Sequence, residues 1–439
     1  MKIPPHLESL DVAIVGGGVA GLASAVALQT IAGVCSTIYE ADSGMRKGGF
    51  GLALCPNGLR ALHHMDIGMH DEVVRSGSVV TERFFTTCES TRIHYCNERA
   101  EYGHPMLCVR FLSLHNALRK SALLHGCRIV SGTVCEGLHP APTLPKPPPP
   151  RLLLGAEGGE GEGEGDRREE AVTAGLVIGA DGLRSVVRRQ LGDTMPPRDA
   201  GVVWFMGIVA HASCSLLHRS RVHQFLLEDP TKVASLMPVG DHTYWAVALA
   251  GAVDQEEAME IGDSHSEMQS YLESKFAECD ALVELLRATP RHQIHRHRIQ
   301  DRPAIPSFVQ GSVPGESRIA LVGDAAHPMR PSLGQGANTA LEDAVQLALL
   351  LRDASSVEEA LREYDKARVD RCAMLQGDSD FVARRAYQDR GGGEGGEETK
   401  RGRGGGGGGG EGDEERKGRW PNQSMGSRDY VYNWEPVRL

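Results

Sequence analysis

Aromatic residues are scarce in this chain, at 5% of 439 positions, and no long uncharged apolar run is present. The longest candidate, Val12 to Tyr39, is broken by glycines and reads as strand, turn, helix and strand rather than as a membrane span. Met1 to Asp11 carries one lysine and no apolar stretch, so no secretory leader is visible. A basic face is lacking too. The formal net charge of −11 disfavours nucleic acid or an anionic membrane as partner, since both require clustered positive charge. Ten cysteines run from Cys35 to Cys372 with no Cys-x-x-Cys and no Cys/His ligand spacing. In a chain of this size that pattern predicts reduced thiols in a soluble, cytoplasmic protein.

The hydrophobic content of 41% suffices for one large or two medium domains. Two low-complexity tracts interrupt it. Residues 140–171 pass from a proline run (Pro147 to Pro150) into Glu-Gly repeats, and residues 157–170 set seven acids against two arginines. Residues 390–425 are Gly-rich, with seven consecutive glycines from Gly404 to Gly410. Neither tract has enough apolar area to offset chain entropy, so both are expected to be disordered. Val130 to Val134 and Leu152 to Leu154 read as a hairpin around a swollen loop. Residues 428–439 are aromatic again, through Tyr430, Tyr432 and Trp434, and are expected to dock on the body.

Elsewhere strands and helices alternate, with no internal repeat. Asp11 to Gly16 and Ser36 to Tyr39 read as strands around a helix from Val19 to Ile31. Residues 201–252 are strand-like, and Ser264 to Leu286 reads as one helix. A helix from Asn338 to Leu351 shows Leu341, Ala344, Val345, Ala348 and Leu349 on one face, and a second helix reaches about Arg385. Parallel-type strands at both ends and a strand-rich middle indicate an α/β nucleotide-binding domain interrupted by a sheet domain.

Three motifs carry chemistry. Gly16, Gly18 and Gly21 fit Gly-x-Gly-x-x-Gly between a strand and a helix, with Val19 and Ala20 opening that helix. Such a turn lets a diphosphate approach backbone N–H groups at a helix N-terminus. Glu40 follows Gly21 by 19 residues at the end of the next strand, where an acid accepts from ribose hydroxyls and disfavours a 2′-phosphate. In the second motif, Leu176 to Arg188, a strand ends at Asp181-Gly182 and a helix begins; Asp181 equally suits a helix cap. In the third, an apolar run ends at Gly323-Asp324, and a loop with Pro328, Pro331, Gly334 and Gly336 leads to Ala337-Asn338 at a helix start. Asp324 can reach a polyol or sugar hydroxyl, and glycines at a helix N-terminus let a flat, electron-rich ring lie on the backbone.

Together, in this order and spacing, the motifs resemble the FAD-dependent class A aromatic-ring hydroxylases of the p-hydroxybenzoate hydroxylase fold, a group that includes salicylate hydroxylase and zeaxanthin epoxidase. Arg46, Gly49 and Gly51 before Pro56 to Leu62, Asp301-Arg302-Pro303, and Tyr430 to Pro436 add to the likeness. The resemblance implies a Rossmann-like FAD-binding domain over 8–85, 105–195 and 300–386. It implies a β-sheet substrate domain over 86–104 and 196–299 inserted into it. It further implies that Gly16 to Gly21 hold the diphosphate, Glu40 the ribose and Asp324 the ribityl chain or the diphosphate. Gly334 to Asn338, with Pro331, would line the flavin, and Arg46, Gly51, Arg110 and Asp181 would complete the cofactor contacts. NADH or NADPH would reduce FAD without a Rossmann domain of its own. O2 would add at flavin C4a and one oxygen would pass to a small aromatic or unsaturated substrate, with no catalytic side chain required. A flavin reductase or dehydrogenase on the same fold, and a non-catalytic FAD-binding protein, are the alternative readings.

Two departures stand out. Arg110 precedes Leu114 by four residues where the family's arginine precedes by three, and Phe111 takes that place. Trp204-Phe205-Met206-Gly207 lacks the arginine of the usual Trp-Arg-Gly, which predicts a more apolar substrate pocket. Of the remaining candidates, His292, His295 and His297 are expected to face solvent rather than bind metal. His327 is expected to be structural, and Met206, Met237 and Met329 to be core.

Overall fold

The computed structural model describes residues 3–44, 50–86, 91–138, 149–156, 170–211, 218–261, 264–310, 318–387 and 425–439. Val12–Val15, buried along its whole length, lies inside a six-stranded sheet, parallel to Ser36–Glu40 on one side and Leu176–Gly179 on the other. Runs of branched apolar residues without alternation suit strands covered on both faces. Arg128–Ser131 and Ile319–Leu321 extend the parallel order, and Val309–Gln310 closes one edge antiparallel. The strands Val12–Val15, Leu176–Gly179 and Ile319–Leu321 are neighbours and run the same way, so the loops that follow them leave from one edge. Each of those loops bears one of the three motifs. In an open parallel sheet that edge is where ligands bind.

A second sheet of seven strands is ordered His295–Asp301, Arg198–Ala210, His242–Leu249, Lys232–Val239, Arg221–Leu226, Glu82–Thr86 and Thr91–Tyr95. Glu82–Thr86 already belongs to it and pairs parallel with Arg221–Leu226. Helices His265–Lys275 and Asp280–Ala288 back this sheet. They replace the single helix expected over 264–286, because the chain turns at Phe276, whose ring is buried in the domain's own core. The expected hairpin is also rearranged. Gly132, at φ 71°, divides 130–134 between Arg128–Ser131 in the parallel sheet and Thr133–Leu138. Thr133–Leu138 pairs antiparallel with Arg151–Ala156, which pairs in turn with Glu170–Thr173. The 140–171 tract therefore contains ordered strand with Leu152 and Leu154 buried, whereas its Glu-Gly repeats and residues 390–424 lie outside the described residues.

Helix Gly336–Asp353 departs most from its one-face reading. Every residue from Asn338 to Leu351 is buried, since the helix runs among Val19–Ala27, Pro56–Met65 and Val357–Tyr387. Its polar side chains are consequently in the interior and must be paired. Glu342 accepts from Arg371 at 2.6 and 2.7 Å and from Asn57 at 2.7 Å, and lies 2.8 Å from Arg368. Asp343 accepts from Arg368 Nε at 2.8 Å, from the Gly323 N–H at 2.9 Å and from His327 at 2.5 Å. Burial works against charge on both partners, but Asp343 holds the His327 imidazolium well above its ordinary range. His327 and Arg368 together hold Asp343 down at about 2. Arg371 also donates to the carbonyls of Tyr430 and Val431, and the Arg368 guanidinium lies 5.9 Å from the Trp434 ring centroid, which docks the C-terminal helix Met425–Tyr432.

Removing one member of such a network leaves buried charge without a partner. Glu342→Gln is expected to lower stability by about 3–5 kcal/mol in urea denaturation. A loss under about 1 kcal/mol would show that Arg368 and Arg371 find other acceptors. The Asp343 contribution is complete above roughly pH 4 and is lost as pH falls towards 2, because its folded value lies below its unfolded one.

Candidate active site

The first loop is shaped by what two of its glycines exclude. Gly16 has φ 103°, and a Cβ there would lie 2.4 Å from the Ala180 carbonyl oxygen; at Gly21 it would lie 1.9 Å from the Gly16 carbonyl oxygen. Both are fixed by packing of strand, helix and second loop. Gly18 differs, since a Cβ there would meet nothing within 4 Å. It faces an open cleft, at the N-terminus of a helix whose cap makes no side-chain hydrogen bond. Its free N–H groups and dipole suit an anion. Glu40 closes one side, accepting from the Gly17 and Asp42 N–H groups, and His115 Nε2 holds the loop through the Gly17 carbonyl at 2.9 Å.

Asp181 lines the same cleft, but its carboxylate accepts from Ser185 Oγ at 2.5 Å and from the Val186 and Val187 N–H groups at 2.6 and 3.2 Å. With Ser185, the N-cap residue, it shares the capping of the short helix Val186–Gln190 by accepting from that helix's first two N–H groups. Arg188, fully buried on that helix, donates to the carbonyl of Ala326 at 2.9 Å and to that of Pro303 at 3.1 Å, tying the second loop to the third.

Asp324 is set differently. It sits at the junction of the cleft, of about 440 Å³, with a larger cavity of about 460 Å³, and it lines both, as do Gly336 and Ala337. The residue is solvent-exposed, its carboxylate faces open space, and no hydrogen bond or ion pair engages it among the described residues. Desolvation by the surrounding walls raises its pKa, an effect that its open face to solvent weakens and the charge of His327 partly offsets. Adjacent helix Gly336–Asp353 begins without a side-chain cap, so its N–H groups open on the same junction.

The larger cavity lies between this junction and the seven-stranded sheet. Its walls are mainly apolar and include Trp204, Tyr244, Met237 and Met329. Those two methionines line the cavity instead of filling core, whereas Met206 is buried beneath it. Gly51, Pro331 and Gly334 also line it. Other expected contacts fall elsewhere. Asn338 is wholly buried; its side chain donates to the carbonyls of Ala53 and Gly334 and accepts from the Cys55 N–H, so it locks the helix start to Gly51–Leu54. Arg110 lines neither cavity, and Phe111, one position on, lines the cleft. Arg46 and Gly49 lie outside the described residues. His292, His295 and His297 are exposed. One described cluster, His327 with Asp343 and Cys372, is compact enough for a metal. Its carboxylate is already neutralised by Arg368 and the imidazolium, so it serves as an ion pair.

Several lining residues had gone unread: Arg83, His94, Arg428 and Tyr432 all face the larger cavity. Arg83 and His94 stand on strands with no local signal of facing a ligand. Arg428 and Tyr432 arrive from the C-terminal segment, whose aromatic character was the one available clue.

A parallel-sheet dinucleotide site continuous with an apolar cavity under a second sheet defines a two-domain flavoprotein. Comparison with known proteins is specific: residues 9–376 match the FAD binding domain family, and the chain belongs to this family of FAD-dependent aromatic hydroxylases and monooxygenases. Aurachin C monooxygenase/isomerase of Stigmatella aurantiaca is 30% identical over 385 residues, 85% of this chain and 87% of that protein. The 3-amino-4-hydroxybenzoate 2-monooxygenase PtmB3 of Streptomyces platensis is 31% identical over 374 residues, 82% and 84% of the two chains. Klebsiella pneumoniae HpxO, solved with FAD and uric acid, superposes with TM-score 0.71 over 87% of this chain and 90% of its own; at 23% identity the likeness is one of fold.

FAD is the cofactor of this family, and the residues present fit it. The open face at Gly18 and the unpaired Asp324 line one cleft, which shares Asp324, Gly336 and Ala337 with the cavity. Asp324→Ala is expected to weaken FAD binding more than Asp181→Ala, measured as Kd on the apoprotein. Equal affinities would refute the ranking. Stability should order them oppositely. Asp181→Ala loses a helix cap, about 1 kcal/mol. Asp324→Ala removes an exposed carboxylate that has no partner among the described residues, so the apoprotein should keep its stability to within about 0.5 kcal/mol.

Proposed function

We propose that this protein is an FAD-dependent, NADH- or NADPH-consuming monooxygenase that inserts one oxygen atom of O2 into a small aromatic or unsaturated substrate. The observation that carries the reading is the shared wall of Asp324, Gly336 and Ala337 between the dinucleotide cleft and the apolar cavity. A ligand in that cavity lies against whatever occupies the junction. Bound FAD supplies the chemistry of nicotinamide oxidation and oxygen activation.

The chain's own part is binding, orientation and exclusion of water. Gly16 to Gly21 offer backbone N–H groups to the diphosphate, and Glu40 keeps lone pairs for the ribose hydroxyls. Asp324 is free to accept from the ribityl chain. Gly334, Gly336 and Ala337 bring backbone and a positive helix end to the flavin ring, where negative charge accumulates on reduction. Asp181 acts through the helix it caps. Trp204, Met237, Tyr244 and Met329 keep the reacting space dry and position a planar substrate. The 3-amino-4-hydroxybenzoate in the name of a relative and the uric acid bound in the solved HpxO structure support a small planar molecule here. No helix among the described residues is long and apolar enough to cross a membrane. A cytoplasmic location is part of the proposal, supported by eight free cysteines among those residues.

Purified protein should be yellow, release FAD on denaturation, and oxidise NADH or NADPH with O2 uptake that substrate stimulates. Protein that stays colourless after incubation with FAD would sink the reading. Nicotinamide oxidation that never places an atom of 18O2 in product would reduce it to a flavin reductase.

A further inference from the structure

The C-terminal segment does more than close the body. Helix Met425–Tyr432 places Arg428 and Tyr432 in the wall of the larger cavity, beside Arg83 from strand Glu82–Thr86. Both guanidinium groups converge on one acid: Glu98 Oε1 accepts from Arg83 at 2.7 Å and from Arg428 at 2.8 Å. The Glu98 side chain is 1% exposed, so solvent does not screen the group. Two cations against one carboxylate leave this end of the cavity with an excess positive charge. Arg83 also directs an N–H at the Met106 sulfur, a weak acceptor, and its Nε finds no hydrogen-bond partner among the described residues. Glu98 Oε2 is likewise without a partner among the described residues, so the imbalance of this cluster is one of net charge, two guanidinium groups to one carboxylate. Beside it, burial and then Arg428 and Arg83 lower the pKa of His94, which keeps that ring neutral. Gln224 and Ser235 add neutral polar groups to walls that are otherwise largely apolar.

The segment is held in place by groups outside the cavity. Arg60 donates to the Trp434 carbonyl at 2.5 Å, Tyr102 donates to Asp429 at 2.8 Å, and Gln346 exchanges two hydrogen bonds with the Val437 backbone at 2.8 and 2.9 Å. Arg428 is therefore presented on a fixed helix.

We propose that Arg83 and Arg428, bridged by Glu98, form an anion-recognising end of the substrate cavity, and that the C-terminal segment is thereby a specificity element of the enzyme. This rests on the reading of the larger cavity as the substrate site. The group recognised is an anionic oxygen, a carboxylate or an ionised phenol or enol, on a planar molecule whose body lies along the apolar walls. The arginine missing from Trp204 to Gly207 has its charge supplied from the opposite end of the sequence.

The test is calorimetric titration of the FAD-loaded full chain with hydroxy- and aminobenzoates, their carboxamides, and phenols of graded acidity. Carboxylates are expected to bind at least about tenfold tighter than matching carboxamides, the range of a charge-assisted hydrogen bond. Phenol binding that rises with pH through each phenol's own ionisation would support the same site with phenolate as the source. Arg428→Gln should abolish the preference for charge, its carboxamide affinity showing whether the cavity survives. Glu98→Gln, by releasing both guanidinium groups, should strengthen binding of the charged forms. Equal affinity for acid and amide with no ionisation dependence, retention of the preference in Arg428→Gln, or no binding by any compound would each overturn the proposal. FAD content and substrate-free NADH oxidation, measured on the same samples, separate failure of this site from failure of the flavoenzyme reading.

Discussion

The structure depends on a pair of adjacent carboxylates, Glu342 and Asp343, buried in the middle of helix Gly336–Asp353. Each is costly to bury alone, and each is neutralised by cations from a different part of the chain. Asp343 fixes the third motif from behind: it accepts the Gly323 N–H and grips His327, so both flanks of Asp324 are held by one side chain. Glu342 joins Asn57 near the start of the chain to Arg371 near the end of the body, and through Arg371 to the C-terminal helix. Because these groups satisfy one another in a low-dielectric interior, none can shift singly, and the loop they surround is correspondingly rigid.

Against that background Asp324 is an exception with a function. Its neighbours Asp343 and Glu342 are fully paired, whereas its own carboxylate is left facing the junction of two cavities. Exposed at a helix N-terminus, that carboxylate keeps its full capacity to accept, which is the basis for proposing it as a cofactor contact. The same contrast separates the two acids expected to serve the cofactor. Asp181 already satisfies a helix end and supports the site through Arg188, while Asp324 retains its capacity to accept. The pair of guanidinium groups on Glu98 in the wall of the larger cavity is the complementary case, a surplus of positive charge instead of negative. The two imbalances bracket the space in which cofactor and substrate meet.

Much of the site was legible because short-range constraints determine it. Gly16 and Gly21 are required by contacts of the strand-turn-helix unit with itself and with Ala180, and such contacts recur at fixed spacing. Glu40 and Asp324 stand at strand ends that alternation and apolar runs make visible. Other expectations failed where a local rule met a tertiary fact. Helix Gly336–Asp353 shows an apolar face, but three partner helices surround it, and its polar positions became the ion network. Asn338 stands in the first turn of that helix, where its backbone was expected to meet the flavin; a Cβ at Gly58 would lie 2.0 Å from its Oδ1, so its side chain serves packing.

By itself, the sequence determined the nucleotide-binding sheet, the order of three ligand loops along it and the family, because each follows from residue type at short spacing. Tertiary structure alone decided which acids are paired and which are free, since that depends on partners such as Asn57, Arg368 and Arg371 that lie far away in the chain. It also decided the character of the substrate cavity. Arg83 and Arg428 are separated by most of the sequence and share one buried carboxylate, a contact that no periodicity encodes.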